Sequence, residues 1–180
     1  MLFFRDVVNH VNNLVICEDY LLGYHNSDGC FSIQTEFNDQ CTSFKANFTW
    51  SLTDCIENKR ILETIKTFLE SKGIIFTKGC LVDYTTYMRL QITSIRECSK
   101  LVKLFDQWGA QTSFSNVRLN QYQLFSEALR LYRDPKFRTD YSLGSKFIEL
   151  KWKMNPGTND KKKGTFDVDM AKVFRYYNRN

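Results

Sequence analysis

Proline, glycine and histidine are scarce: the 180 residues include 2 Pro, 8 Gly and 2 His. So little proline and glycine excludes a fibrous or loop-dominated scaffold. The six cysteines, at positions 17, 30, 41, 55, 80 and 98, form no CxxC pair and do not cluster with His10 or His25. This argues against a structural zinc site and against a secreted disulfide framework, and the thiols are expected to be reduced and packed as small hydrophobes. No apolar stretch approaches the roughly 20 residues that cross a bilayer; runs such as 14–17 and 73–76 have four residues each. Phosphate-cradling GxxxxGK[ST] and GxGxxG loops are missing. The spacing of Ser, Cys, His and Asp offers neither a Ser-His-Asp nor a Cys-His arrangement. The first residues, Met1-Leu2-Phe3-Phe4-Arg5-Asp6, have no secretory or transit pattern, so the chain is expected to act where it is made.

What is abundant is aromatic and apolar. Hydrophobic residues make up 43% and aromatics 15%, with 15 Phe and 9 Tyr, enough for one ordinary domain with a substantial core. Charge is unevenly placed: residues 1–90 carry 8 basic and 11 acidic side chains (−3), and 91–180 carry 17 and 9 (+8), giving the overall +5. A basic half suggests an anionic partner, nucleic acid above all. Richness in Phe, Tyr, Asn, Lys and Ile, residues with AT-rich codons, points toward a mitochondrial or plastid gene.

Apolar residues at 4, 7, 8, 11 and 14 predict a helix over 3–14. Glu18-Asp19 open a second helix that stops at Asp28-Gly29. The period then changes to two. Phe31, Ile33 and Phe37 oppose Cys30, Ser32, Gln34 and Glu36; Phe44, Ala46, Phe48, Trp50 and Leu52 oppose Ser43, Lys45, Asn47, Thr49 and Ser51, a hairpin with one greasy and one polar face. A helix over 56–71, strands over 76–84 and 86–94, and helices over 97–108, 118–133 and 143–154 follow. Two β-β-α units in series predict a four-stranded sheet backed by helices. The expected divisions are an N-terminal helical arm (1–16), a core with C-terminal helices (17–155), and a basic loop and tail (156–180) containing Lys161-Lys162-Lys163.

The junction Leu21-Leu22-Gly23-Tyr24-His25-Asn26-Ser27-Asp28-Gly29-Cys30-Phe31-Ser32-Ile33 puts Leu21, His25 and Asp28 on one helical stripe, with side-chain-free Gly23 open to a second helix. Two such helices side by side, contacting through Leu21, Leu22, Gly23 and His25, would bring two copies of Asp28 together. Paired carboxylates repel unless a cation lies between them. Mg²⁺ suits Asp and carbonyl oxygens, and paired metals assist phosphodiester hydrolysis. One motif per chain implies a homodimer and a pseudo-palindromic target.

This junction resembles the LAGLIDADG motif of homing endonucleases, matching it at Leu21, Gly23, Asp28 and Gly29. The element order from 19 to 108 resembles the family core. Segments 117–123 and 146–155 are similar to its later helices. The resemblance implies an α+β fold of αββαββα order, a four-stranded antiparallel saddle sheet backed by helices with extra C-terminal helices. It implies a Mg²⁺-dependent endonuclease on double-stranded DNA, intron-encoded, with Asp28 and the Ser27 carbonyl as metal ligands and Asp54 as a further catalytic acid. The polar sheet face (Ser32, Gln34, Lys45, Asn47, Thr49, Tyr87, Arg89, Gln91) and Arg118 would contact nucleic acid. Leu22 stands where the motif prefers Ala, and Asn26 where it has an acid. Where active members place polar and basic groups, this chain has Asp54, Asn58 and Asn120, with Lys59 and Arg118 adjacent. The alternative the family offers is a derivative that no longer cuts and binds RNA, as an intron maturase or a mitochondrial ribosome component.

Overall fold

The computed structural model describes residues 15–154 and 166–179. The helix expected over 3–14 and the lysine loop 161–163 lie outside them. Helix α1 (Glu18–Asp28) carries Glu18 and Asp19 in its first turn, where acids complement the helix dipole, and runs without a loop into strand β1 (Gly29–Phe37). β1 pairs antiparallel with β2 (Phe44–Cys55), in register from Gly29↔Leu52 to Phe37↔Phe44. A 3-10 turn (Ile56–Asn58) leads to α2 (Lys59–Ser71), then β3 (Leu81–Asp83) and β4 (Tyr87–Ile92). Next come α3 (Ile95–Gln107), the short α4 (Ala110–Ser113) and α5 (Asn116–Tyr132). A 3-10 turn (Pro135–Arg138), α6 (Tyr141–Met154) and α7 (Phe166–Tyr177) follow. All sheet pairings are antiparallel, in the order β1-β2-β4-β3. No helix among the described residues is long and apolar enough to cross a membrane.

The alternation read from the sequence decides which face of the sheet is covered. Phe31 and Ile33 on β1, Phe44 through Leu52 at every second position on β2, and Met88, Leu90 and Ile92 on β4 are all buried. Leu62, Ile65 and Leu69 of α2, Cys98, Leu101 and Phe105 of α3, Tyr122 and Phe125 of α5, and Phe147 and Ile148 of α6 join the same core. Each large side chain so buried contributes about 1.5–3 kcal/mol.

Three expectations are corrected. The strand expected over 76–84 is only Leu81–Asp83, because the chain turns at Gly79, which has φ 81°, and Cys80 N–H bonds back to Thr77 O. Residues 166–177 form a docked helix rather than a tail. Lys151 explains the docking: from α6 it pairs with Asp169 of α7 at 2.6 Å and donates to Thr35 of β1 at 2.8 Å. Only Cys41, Cys80 and Cys98 are packed as hydrophobes; Cys17, Cys30 and Cys55 are exposed, and all six are free thiols.

Leu21, Leu22 and His25 lie in this chain's own core, at 0%, 1% and 0% exposure, and therefore do not face a second copy. They turn inward because the α1 residues at this spacing cover the apolar sheet face. His25 sits among Phe31, Phe105 and Phe114, with ring centroids at 4.6, 5.6 and 5.1 Å. The Trp50 indole N–H donates to its Nδ1 at 3.0 Å, which leaves the proton on Nε2, an atom with no hydrogen-bond partner. Burial, with the Arg118 charge adding to it, pushes His25 down from 6.5 to about 3. Its ring also fills the space beneath Gly29: a Cβ at residue 29 would lie 1.8 Å from His25 Nδ1.

The consequence for pH is definite in sign. Between pH 6.5 and about 3 the unfolded chain protonates His25 and the folded chain does not. This contribution to stability is complete above 6.5 and declines as pH falls, by up to about 1.4 kcal/mol per pH unit. Denaturant titrations should show His25→Gln losing about one proton of pH dependence in that window. Gly29→Ala should cost about 1–3 kcal/mol at neutral pH, because the methyl group must displace the imidazole.

Candidate functional site

Asp28 is the last residue of α1, exposed where the helix enters the sheet. Ser27 Oγ lies 2.8 Å from its Oδ2. The carbonyls that end α1 are held from α5: Arg118 Nε donates to Asn26 O at 3.1 Å, its Nη2 to Ser27 O at 3.0 Å and its Nη1 to Gln121 Oε1 at 3.1 Å. Ser115 N–H donates to Asn26 Oδ1 at 2.9 Å. A guanidinium on carbonyls that the helix itself leaves unpaired satisfies those acceptors and complements the negative end of the dipole. Arg118 is thus built into the motif's end rather than spread over the sheet.

The Gly29↔Leu52 register puts Asp54, near the end of β2, at the same end of the sheet as Asp28. Both Asp54 oxygens are engaged. The Tyr24 hydroxyl donates to Oδ2, while Oδ1 accepts from Asn58 Nδ2 at 3.0 Å and from Cys55 N–H at 2.7 Å. Burial pushes the Asp54 carboxyl up, but these donors together outweigh it and hold it below the usual carboxylate range. Burial pushes the Tyr24 hydroxyl strongly up, and its bond to Asp54 adds to this, so it stays a neutral donor. Lys59 turns toward Glu63 at 3.9 Å, and Asn120 is exposed on α5.

This donor set suits a hard divalent ion only as half a site. Asp28 is an open carboxylate, and the Ser27 carbonyl keeps one lone pair beyond the Arg118 bond. Among the described residues no three His, Cys, Asp or Glu converge as a metal cluster.

The uncovered sheet face carries the eight strand residues nominated from the sequence. Ser32 pairs with Thr49, Gln34 with Asn47, Ser51 with Gln91 and Thr53 with Arg89, making a continuous polar surface over β1, β2 and β4. Lys45 and Gln34 are exposed, and the other six are half-buried. Asn47 donates to Glu36 at 2.6 Å and Arg89 to Thr53 Oγ1 at 3.3 Å. The Arg89 guanidinium also lies over the stacked Tyr84 and Tyr87 rings, whose centroids are 4.2 Å apart.

Sequence reading missed Tyr20 and Tyr24, which stack with centroids 6.0 Å apart on α1, half-buried against the core. The signal was their i, i+4 spacing. Gly23 and Ser27 are the exposed positions beside them; apart from its own helix backbone and chain neighbours, no atom lies within 4 Å of where a Gly23 Cβ would stand.

A family model described as LAGLIDADG endonuclease matches residues 21–129, which include most of α1, the whole sheet and most of α5. The chain belongs to the LAGLIDADG endonuclease family. Among solved structures it resembles the homing endonuclease I-TnaI, with TM-score 0.67, 15% identity, and 89% of this chain and 99% of that chain covered. The archaeal intron-encoded homing endonuclease I-Vdi141I, solved complexed with DNA, gives TM-score 0.65, 20% identity and coverage of 88% and 95%. I-SmaMI bound to an uncleaved DNA target gives TM-score 0.66, 20% identity and 79% coverage of this chain, which spans 46% of that protein. At these identities the likeness to solved structures is one of fold. No curated protein matches the chain.

Removing the Tyr24 hydroxyl isolates what it does for this LAGLIDADG site. Tyr24→Phe should raise the Asp54 pKa, because a donor to the charged form is lost while burial remains. It should cost about 1 kcal/mol of stability. Carboxyl-carbon NMR titration of Asp54 and denaturant unfolding check the two effects.

Proposed function

We propose that two copies of this chain meet along the exposed side of α1 and act as a metal-dependent, site-specific endonuclease on double-stranded DNA. Each polar sheet face would lie in the major groove over half of a pseudo-palindromic target. The observation that carries this reading is the open Asp28 at the end of a helix whose exposed Gly23 and Ser27, flanked by the half-buried Tyr20 and Tyr24, leave a side for a second copy. Length supports it as well, since the chain spans 46% of I-SmaMI, so two copies match one such molecule.

Roles follow from the contacts. Two Asp28 carboxylates near a twofold axis would hold divalent cations, with the Ser27 carbonyls as companions. When bound, Mg²⁺ would supply charge stabilisation to the scissile phosphate and a more acidic water. Arg118 fixes the α1 terminus, so Asp28 is aimed by α5 as well as by the sheet. Tyr24 and Asn58 keep Asp54 charged and immobile, which makes it a positioning acid. Gln34, Asn47, Gln91 and Arg89 present donors and acceptors that match base edges, and Lys45 presents a charge to phosphate. The Asn-, Lys- and Phe-rich composition supports an organellar intron as the gene's home. No observation favours the RNA-binding alternative.

Selection of cut ends from a random duplex library in Mg²⁺ should return a pseudo-palindromic site for the wild type. On that site Asp28→Asn should bind within a few-fold yet cut slower by on the order of 100-fold or more. Cleavage by Asp28→Asn at the wild-type rate, or a sedimenting monomer on cleavable DNA, would overturn the proposal.

A further inference from the structure

The basic half of the chain is not concentrated on the sheet face. The outward positions of β1, β2 and β4 bring two cations, Lys45 and Arg89, and Arg89 is already engaged with Thr53, Tyr84 and Tyr87. Four cations line instead an open groove of about 430 Å³ between α3 and the end of α5: Arg96, Lys100, Lys103 and Arg133, with Ile95 and Ser99. Arg96, Lys100 and Lys103 stand at i, i+4 and i+7, one stripe of α3. Cys98, Leu101, Val102 and Phe105 are the buried side of the same helix, about half a turn round. The groove therefore faces away from the sheet, and a duplex lying on the sheet cannot reach it.

Its charge is only partly compensated. Glu97, 5% exposed, takes Lys100 at 3.0 Å and Arg96 Nε at 3.8 Å, and also accepts from Ile75 N–H. Lys100 is further held by Gly73 O at 2.9 Å. Lys103 and Arg133 are exposed, with no side-chain hydrogen bond or ion pair among the described residues. Along α3 the stripe covers about 10 Å, roughly three phosphate steps of one duplex strand at about 3.4 Å each. The lining holds no aromatic ring, whereas unpaired strands are held by stacking on aromatics. A regular, stacked duplex fits this groove better than a single strand.

We infer that the α3–α5 groove is a second nucleic-acid site, which grips the phosphate backbone of a duplex DNA segment other than the one on the sheet. The site is independent of base sequence, since it offers cations and no base-reading surface. It rests on the residues of the groove alone and does not require cleavage.

Lysine footprinting tests it on the full wild-type chain. Acetylation by acetic anhydride, read by mass spectrometry, is compared with and without excess random-sequence 30-bp DNA. Lys103 should be protected at least about threefold, and Lys45, which reports the sheet, should be protected separately. The double variant Lys103→Ala/Arg133→Ala should keep Lys45 protection and lower the salt dependence of duplex binding by about two contacts' worth of slope. Lys45 protected with Lys103 fully reactive would overturn the groove and leave the sheet reading standing. Lys103 protected with Lys45 reactive would do the reverse, and neither protected would sink both. Stronger protection of Lys103 by 30-nt single-stranded RNA than by the duplex would overturn the assignment to duplex DNA.

Discussion

The last turn of α1 is the constraint on which the site depends. There the helix becomes a strand with no connecting loop, so its end has no freedom except what its neighbours allow. His25 plugs it from below, in the space that Gly29 leaves open, and is anchored by Trp50. Arg118 clamps it from the side through the carbonyls of Asn26 and Ser27. The two holds work together: a neutral imidazole is the form that tolerates both an apolar cage and a guanidinium nearby. Asp28 is exposed yet aimed, because everything that fixes its backbone is buried or hydrogen-bonded.

Much of this was legible in the residues. Period-two alternation identified both faces of the sheet, since one covered side forces apolar side chains to every second place. Asp-Gly after an amphipathic run located the helix end, and the basic second half pointed to an anionic partner. Long-range pairings were not legible. Tyr24 meets Asp54 across 30 positions and Arg118 meets Ser27 across 91, and no local period encodes such contacts. The helix stripe was read with the wrong side outward. Leu21 and His25 share a face, but periodicity does not say whether that face meets a sheet or another copy. Gly23, read as open to a second helix, is open; the two tyrosines beside it, which the sequence reading passed over, are half-buried.

Leu22 illustrates how a departure from the motif is accommodated. The motif prefers alanine there; at 1% exposure the larger side chain is absorbed into the core beneath α1, where bulk adds buried area and does not interfere with packing on the other side of the helix. Asn26 is a second case. In place of an acid, its Oδ1 accepts from Ser115 N–H, so a position that could carry charge instead ties the start of α5 to the site. Both substitutions trade motif identity for intramolecular order.

Under the proposed function, charge placement separates reading from gripping. A surface that discriminates bases needs neutral donors and acceptors at fixed spacing, and excess cations there would bind every sequence equally well. The sheet follows that rule, with amides and hydroxyls held by the ladder register and one guanidinium pinned by two tyrosines. Under the proposed function, cations that would blur such selectivity are grouped instead in the α3–α5 groove, behind the core. On α3 the basic stripe lies opposite the buried side, so the cations of this groove leave the polar sheet face with Lys45 and Arg89 as its outward strand cations.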